Sequence, residues 1–241
     1  MPDNAPPDLA SHKVVSRAEW LSARTAFLAK EKEFTKLRDE LTAQRRALPW
    51  TKVEKEYLFE GPRGKETLAQ LFDGRSQLVI YQFMFDPDWK AGCPICSFWA
   101  DNFDNIIQHL NHRDVTMIAV SRAPYEKLAA YEQRMGWRFK WLSSHGTDFN
   151  FDNQASFTPQ EVEGKQALYN FAKQDPRKSE REGVSVFYKD PSGAIYQTYA
   201  AYARGIDMLN TAYHYLDIVP KGRDEGGRGP FWVKRHDEYG G

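Results

Sequence analysis

The chain has 241 residues, of which 41% are hydrophobic and 27% charged, and its 33 basic residues balance 33 acidic ones to give no net charge. That composition fits a globular domain, and the neutral balance supplies no bulk field to attract nucleic acid or an anionic membrane. No stretch approaches the roughly 20 apolar residues of a membrane helix, and the start lacks a secretory signal's apolar run and basic flank, so the cytoplasm is the expected compartment.

Residues 1–13 read as a loose, Pro-rich tail. Ser16 with Glu19 three residues on forms a capping box. Trp20, Leu21, Phe27, Leu28, Phe34, Leu37 and Leu41 then recur at helical spacing to about Arg46, where a narrow apolar stripe is expected to pack on the core. Residues 56–60 read as a strand, Gly61-Pro62-Arg63-Gly64 as a turn, and Leu68 to Phe72 as a short helical turn. The run Gln77 to Phe85 is almost wholly apolar or aromatic, which predicts a strand buried on both faces. A helix is expected from Pro94 to about Leu110, a strand over 115–120, a helix from Pro124 to Met135 and a short strand over 139–142. Residues 143–182 are polar and read as an insertion with one helix over 161–173. Two strands, 184–189 and 194–200, flank the turn Asp190-Pro191-Ser192-Gly193. A last helix is expected over 206–216, followed by a charged, Gly-rich tail whose Phe231, Trp232 and Tyr239 suggest docking. The alternation of strands and helices predicts an α/β sheet with right-handed crossovers.

The only two cysteines, Cys93 and Cys96, sit three apart after the strongest strand. In a reducing compartment, such a pair points to catalysis or metal binding rather than to a structural bridge. Pro94 suits the first helical position, which puts Cys93 at the helix start. There the helix dipole and free N–H groups favour a thiolate, bringing the thiol pKa from about 8.5 to roughly 3.5–7.5. Cys96, one turn inside, would resolve the mixed disulfide.

Three other readings compete. Cys93, Cys96, His109 and His112 approximate a zinc-finger spacing. On one unbroken helix, however, His109 would lie roughly 20 Å from Cys96. A thiol peroxidase would place Cys93 after Pro-x-x-x-Thr-x-x-Cys, whereas Pro87 is six residues before Cys93 and Lys90 stands in the Thr place. Two buried cysteines in a binding module remain the chemically silent reading.

The segments Gly92-Cys93-Pro94-Ile95-Cys96-Ser97, Phe83-Met84-Phe85, Tyr202-Ala203-Arg204-Gly205, Leu216 to Glu225 and Arg235 to Tyr239 carry a resemblance spanning nearly the whole chain. It resembles the domain-of-unknown-function family 899, whose members are described as thioredoxin-like, predicted dithiol-disulfide oxidoreductases. The resemblance implies a thioredoxin-like fold and dithiol chemistry, with no established substrate. Thioredoxins carry a cis-proline before the strand facing the site. If Gly183 to Phe187 is that segment, Val184 takes the proline's place with Ser185 beside it. Thioredoxins also bury a carboxylate under the cysteines, and Gln82 stands at that place here.

Trp89 is a candidate lid over the pair, and Arg122, at the end of the next strand, is a candidate partner for a thiolate. Arg204 is a weaker candidate of the same kind. Phe98 and Trp99 read as core, and Asp101 and Asp104 as a solvated helix face. His145, His214 and His236 show no ligand spacing. The expected architecture is thus an N-terminal tail and helix (1–50), a thioredoxin-like α/β domain (51–219) with an insertion at 143–182, and a C-terminal tail (220–241). The expected function is thiol–disulfide exchange on a protein or small-molecule disulfide, with Cys93 attacking and Cys96 resolving. A non-catalytic binding module and a peroxiredoxin-like peroxidase are the alternatives. No cofactor, metal, nucleic acid or membrane is expected, and the helix and aromatic tail offer surfaces for a homodimer.

Overall fold

The computed structural model describes residues 12–240. The Pro-rich start expected over 1–13 therefore lies largely outside the described residues, as does the last residue of the tail. Two compact units divide at Pro49 and Trp50. The first contains helix α1 (Arg17–Arg46), which opens on the expected Ser16–Glu19 capping box. None of its residues is buried. Its stripe stays exposed, with Phe27 at 55% and Phe34 at 64%.

In the second unit, β1 (Thr51–Lys52), β2 (Leu58–Gly61) and β3 (Gly64–Thr67) precede the short helix α2 (Leu68–Leu71). Pro62 and Arg63 make the turn between β2 and β3. The central strand β4 (Gln77–Gln82) leads through a loop to α3 (Pro94–Phe103) and α4 (Ile107–His112). Next come β5 (Val115–Ser121), α5 (Tyr125–Met135) and β6 (Trp141–Ser143). The expected single helix from Pro94 to Leu110 is broken at 104–106. Asp104 leaves the helix because its carboxylate accepts the backbone N–H groups of Arg138 and Phe139, at 2.7 and 3.0 Å.

The segment 143–182 holds α6 (Phe149–Asp152), α7 (Pro159–Glu163) and the hairpin β7 (Ala167–Tyr169)–β8 (Ala172–Gln174). The single helix expected over 161–173 is therefore corrected. Lys165 takes φ 52° just past α7, and Asn170 and Phe171, at φ 51° and 64°, form the two-residue turn of the hairpin. Consecutive left-handed residues make the tight turn that suits paired strands. β9 (Gly183–Lys189) and β10 (Ile195–Tyr202) follow. The helix expected over 206–216 is split into a 3-10 segment, Ala203–Leu209, and α8 (Thr211–Leu216). Asn210 restarts the chain by accepting the Tyr213 N–H.

Eight of the strands form one sheet in the order β1-β10-β9-β4-β5-β6-β2-β3, and β7 and β8 pair separately. β4, β5 and β6 run parallel, while β9 lies antiparallel on the other side of β4 with β10 beyond it. A parallel unit with a helical crossover beside an antiparallel hairpin makes the fold α/β and thioredoxin-like. The sheet separates two cores. Leu78, Ile80, Ile118, Val120 and Phe187 face α2 and the β2–β3 hairpin in one. Tyr81, Ala119, Val184 and both cysteines belong to the other. Alternation along β4 thus decides which side chains meet the cysteines.

Leu78 is fully buried at the centre of the first core. Leu78→Ala is expected to lower unfolding free energy by about 2–5 kcal/mol, read as a lower urea midpoint at constant slope.

Candidate functional site

The ladder of β4 ends at Gln82, but Phe83, Met84 and Phe85 remain buried. The loop then returns to place Cys93 as the N-cap of α3, with Pro94 in its first turn. Two hydrogen bonds fix this return. Cys93 N–H donates to the Met84 carbonyl at 3.1 Å, and Met84 N–H donates to Cys96 Sγ at 3.5 Å. Gly92 is required by close approach: a Cβ there would stand 2.7 Å from the Phe83 ring and 3.1 Å from Tyr131.

Both thiols are free and buried, and the two cysteines lie 3.9 Å apart. The Cys93 thiol is lowered to about 7, first by the hydrogen bond from the Cys96 thiol and then, against burial, by the backbone N–H groups of Cys96 and Ile95. Cys96 is pushed well above its ordinary value by burial, by its hydrogen bond with Cys93 and by that neighbour's charge. The pair therefore carries its first negative charge on Cys93. The Glu182 carboxylate opposes ionisation of both thiols. Tyr81, on the cysteine side of β4, is buried beside them. Its hydroxyl is raised well above 10 by burial and then by Cys96.

Gln82 does not lie under the cysteines. It points to the opposite side of β4, where its Nε2 donates to Ser185 Oγ at 2.7 Å and Ser185 donates to Asn153. The residue of β4 that faces the pair is Tyr81, so the expected placement of Gln82 is corrected. The same alternation separates Val184, in the cysteine core, from Ser185, on the far side.

Cys93 opens onto a cleft of about 880 Å³, and Cys96 is not among its lining residues. Tyr81, Met84, Ile95, Trp99 and Ile206 give the cleft an apolar floor. Arg177, Lys178, Arg181, Arg204 and Arg223 stand around it with Glu182, Asp207, Asp217 and Glu225. Arg122 is not among the lining residues. It is held by Asp86 and Glu180, each at 2.6 Å. Burial still pushes the Glu180 carboxyl up to about 7 against that arginine. Trp89 packs beside the cysteine core with Lys178 Nζ 5.9 Å from its ring.

Asp101 and Asp104 are anchors rather than a solvated face. Asp101 accepts hydrogen bonds from Trp137 Nε1 and His236. Phe98 and Trp99 are packed with Tyr213, and Phe98 also meets Trp232. His109 and His112 lie on the separate helix α4, and among the described residues no group of three or more His, Cys, Asp or Glu is placed to hold a metal ion.

Sequence reasoning missed the clamp made by the tail. Arg235 donates to the Gly92 carbonyl and to Tyr131 Oη, both at 2.7 Å. Tyr131 Oη meets Ser97 Oγ at 2.9 Å, and Ser97 donates to the Cys93 carbonyl at the same distance. The tail is thus joined to the cysteine turn directly at Gly92 and, through Tyr131 and Ser97, at Cys93. The signals in the sequence were the aromatic and charged character of the tail and the Arg235 to Tyr239 segment that carries the family resemblance.

The family model described as "Bacterial protein of unknown function (DUF899)" matches residues 9–239, and the chain belongs to that family. No curated protein matches it. Among solved structures, a peroxiredoxin Q variant of Xanthomonas campestris is 16% identical with a TM-score of 0.41, covering 73% of this chain and 93% of its own. A yeast mitochondrial 1-Cys peroxiredoxin is 16% identical with a TM-score of 0.42, covering 70% and 78%. A thiol:disulfide interchange protein from Bacteroides sp. is 14% identical with a TM-score of 0.41, covering 73% and 95%. The thioredoxin-like assignment rests on the strand order and on Cys93 at the start of the helix after the central strand. No helix among the described residues is long and apolar enough to cross a membrane.

The ionisation order gives a direct expectation. Alkylation of the native protein by iodoacetamide should modify Cys93 and spare Cys96. Its rate should fall about tenfold per pH unit below 7 and level off above it, because only the thiolate reacts. A rate that keeps rising past pH 8, or modification of Cys96 first, would contradict the assignment.

Proposed function

We propose that the protein catalyses thiol–disulfide exchange, with Cys93 as nucleophile and Cys96 as resolving thiol. The observation that carries this reading is the placement of the pair. Cys93 caps α3 and lines a cleft, and Cys96 lies 3.9 Å away, outside the lining.

The Cys93 thiolate attacks one sulfur of a substrate disulfide. That S–S bond breaks, one substrate thiolate leaves and takes up a proton, and a mixed disulfide remains on Cys93. Capping Cys93 removes the negative charge that had held the Cys96 proton. Cys96 then attacks Cys93 Sγ, the bond between Cys93 and the substrate sulfur breaks, and the Cys96 proton passes to that departing sulfur. The second substrate thiol departs, and a Cys93–Cys96 disulfide is left. Two electrons have passed from the protein dithiol to the substrate disulfide, and an external dithiol run through the same steps in reverse restores the pair.

Cys93→Ser should abolish reduction of a small disulfide such as hydroxyethyl disulfide. Cys96→Ser should retain the first attack and accumulate the mixed disulfide, visible as an adduct by intact-protein mass spectrometry. Undiminished reduction by the Cys93→Ser protein would overturn the reading.

A further inference from the structure

The charges around the cleft are unevenly satisfied. Arg223 is taken by Asp207 and Asp217, at 2.9 and 2.7 Å, and Arg204 also reaches Asp207. Arg181 pairs with Glu182 at 3.6 Å. The carboxylate of Glu225 accepts from Tyr213 Oη and Trp232 Nε1. All four acidic groups of the cleft are thereby engaged. Arg177 and Lys178 are left: both are exposed and both line the cleft, and neither has an ion-pair partner among the described residues. They stand side by side on the segment leading into β9, which also brings Glu182 to the cysteines.

The shape of the site restricts the substrate as strongly as its charge. Cys93 is only 8% exposed and opens into a cleft of about 880 Å³. A disulfide on the convex surface of a folded protein does not readily bring its sulfur to such a thiol. A small flexible molecule can, and the volume falls within the roughly 300–1,000 Å³ usual for small-ligand sites. The apolar lining accommodates a short carbon chain, and Arg177 and Lys178, without ion-pair partners among the described residues and with Lys178 beside the Trp89 ring, fit terminal carboxylates. Arg177 also holds a left-handed backbone, φ 63°, with its N–H bonded to Asp175 Oδ1.

We infer that the cleft selects a small, carboxylate-bearing disulfide, with Arg177 and Lys178 as the specificity-determining cations and Cys93 as the attacking sulfur. This inference rests on the thiol–disulfide reading above. The chemistry is the same two-electron exchange: the substrate disulfide is reduced to two thiols while the Cys93–Cys96 disulfide forms.

The test uses the full-length reduced protein and three aliphatic disulfides of matched skeleton. These are dithiodipropionate (two carboxylates), hydroxyethyl disulfide (uncharged) and cystamine (two ammonium groups). The rate of Cys93–Cys96 disulfide formation is measured for each and divided by its rate with a free dithiol, at low ionic strength. The dicarboxylate should lead cystamine by about tenfold, and this lead should shrink at high salt. In the Arg177→Gln/Lys178→Gln protein, the ratio of the dicarboxylate rate to the neutral rate should fall roughly fivefold, in line with two exposed charge contacts. The ratio is immune to a general folding defect, which would slow both probes alike.

An unchanged ratio in the double variant, or no preference for the dicarboxylate, overturns the substrate assignment. So does a folded disulfide protein such as insulin reacting faster than every small probe. If hydroxyethyl disulfide also fails to form the Cys93–Cys96 bond, the exchange reading itself is what fails.

Discussion

Two hydrogen bonds between Met84 and the cysteine turn hold the site in register with the sheet. The Met84 carbonyl accepts from Cys93 N–H, and the Met84 N–H is given to Cys96 Sγ. Met84, two residues past the end of β4, therefore fixes both ends of the Cys-Pro-Ile-Cys turn. Cys93 becomes the helix cap, where the N–H groups of Ile95 and Cys96 face its sulfur. Cys96 becomes the inner partner, without access to the cleft. The difference between the two thiols follows from this geometry, since the same burial that raises Cys96 is offset at Cys93 by donors.

The surroundings serve that turn from three directions. β4 supplies Tyr81 beneath it, and β9 supplies Val184 to the same core, with Glu182 just before the strand. The C-terminal tail reaches back to Gly92 through Arg235, and Arg134 and Asp101 hold the tail in turn. Glu182 has a consequence for the chemistry. Burial first, and the charge of Glu182 to a smaller extent, limit how far the donors lower the Cys93 thiol, which stays at about 7. An attacking thiol of that pKa combines a useful thiolate fraction with good nucleophilicity.

Much of this was legible in the sequence because it depends on local chemistry. The apolar run of β4, the Pro-containing cysteine pair and the Asp190–Gly193 turn each carry their own instructions. Asp190 Oδ1 accepts the N–H groups of Ser192 and Ala194 while Gly193 takes φ 90°. What the sequence hid depends on partners far along the chain. Asp104 ends α3 because residues 138 and 139 need its carboxylate. Gln82 was misplaced by a single step in β4, and in a strand one step exchanges the two faces. The α1 stripe has helical spacing, but periodicity alone does not say what covers it. Arg235 lies 143 residues from the carbonyl it binds.

The central claim is that Cys93 and Cys96 act as one two-electron couple, and the most direct measurement is their redox equilibrium. The native protein is equilibrated in buffers of graded dithiol-to-disulfide ratio, quenched, and the fraction with the Cys93–Cys96 bond is read by mass spectrometry. The account predicts a reversible transition with the slope of a two-electron couple, and the same midpoint from the oxidised and the reduced side. Thiols that remain reduced across the whole range, or that oxidise only irreversibly and one at a time, would contradict it.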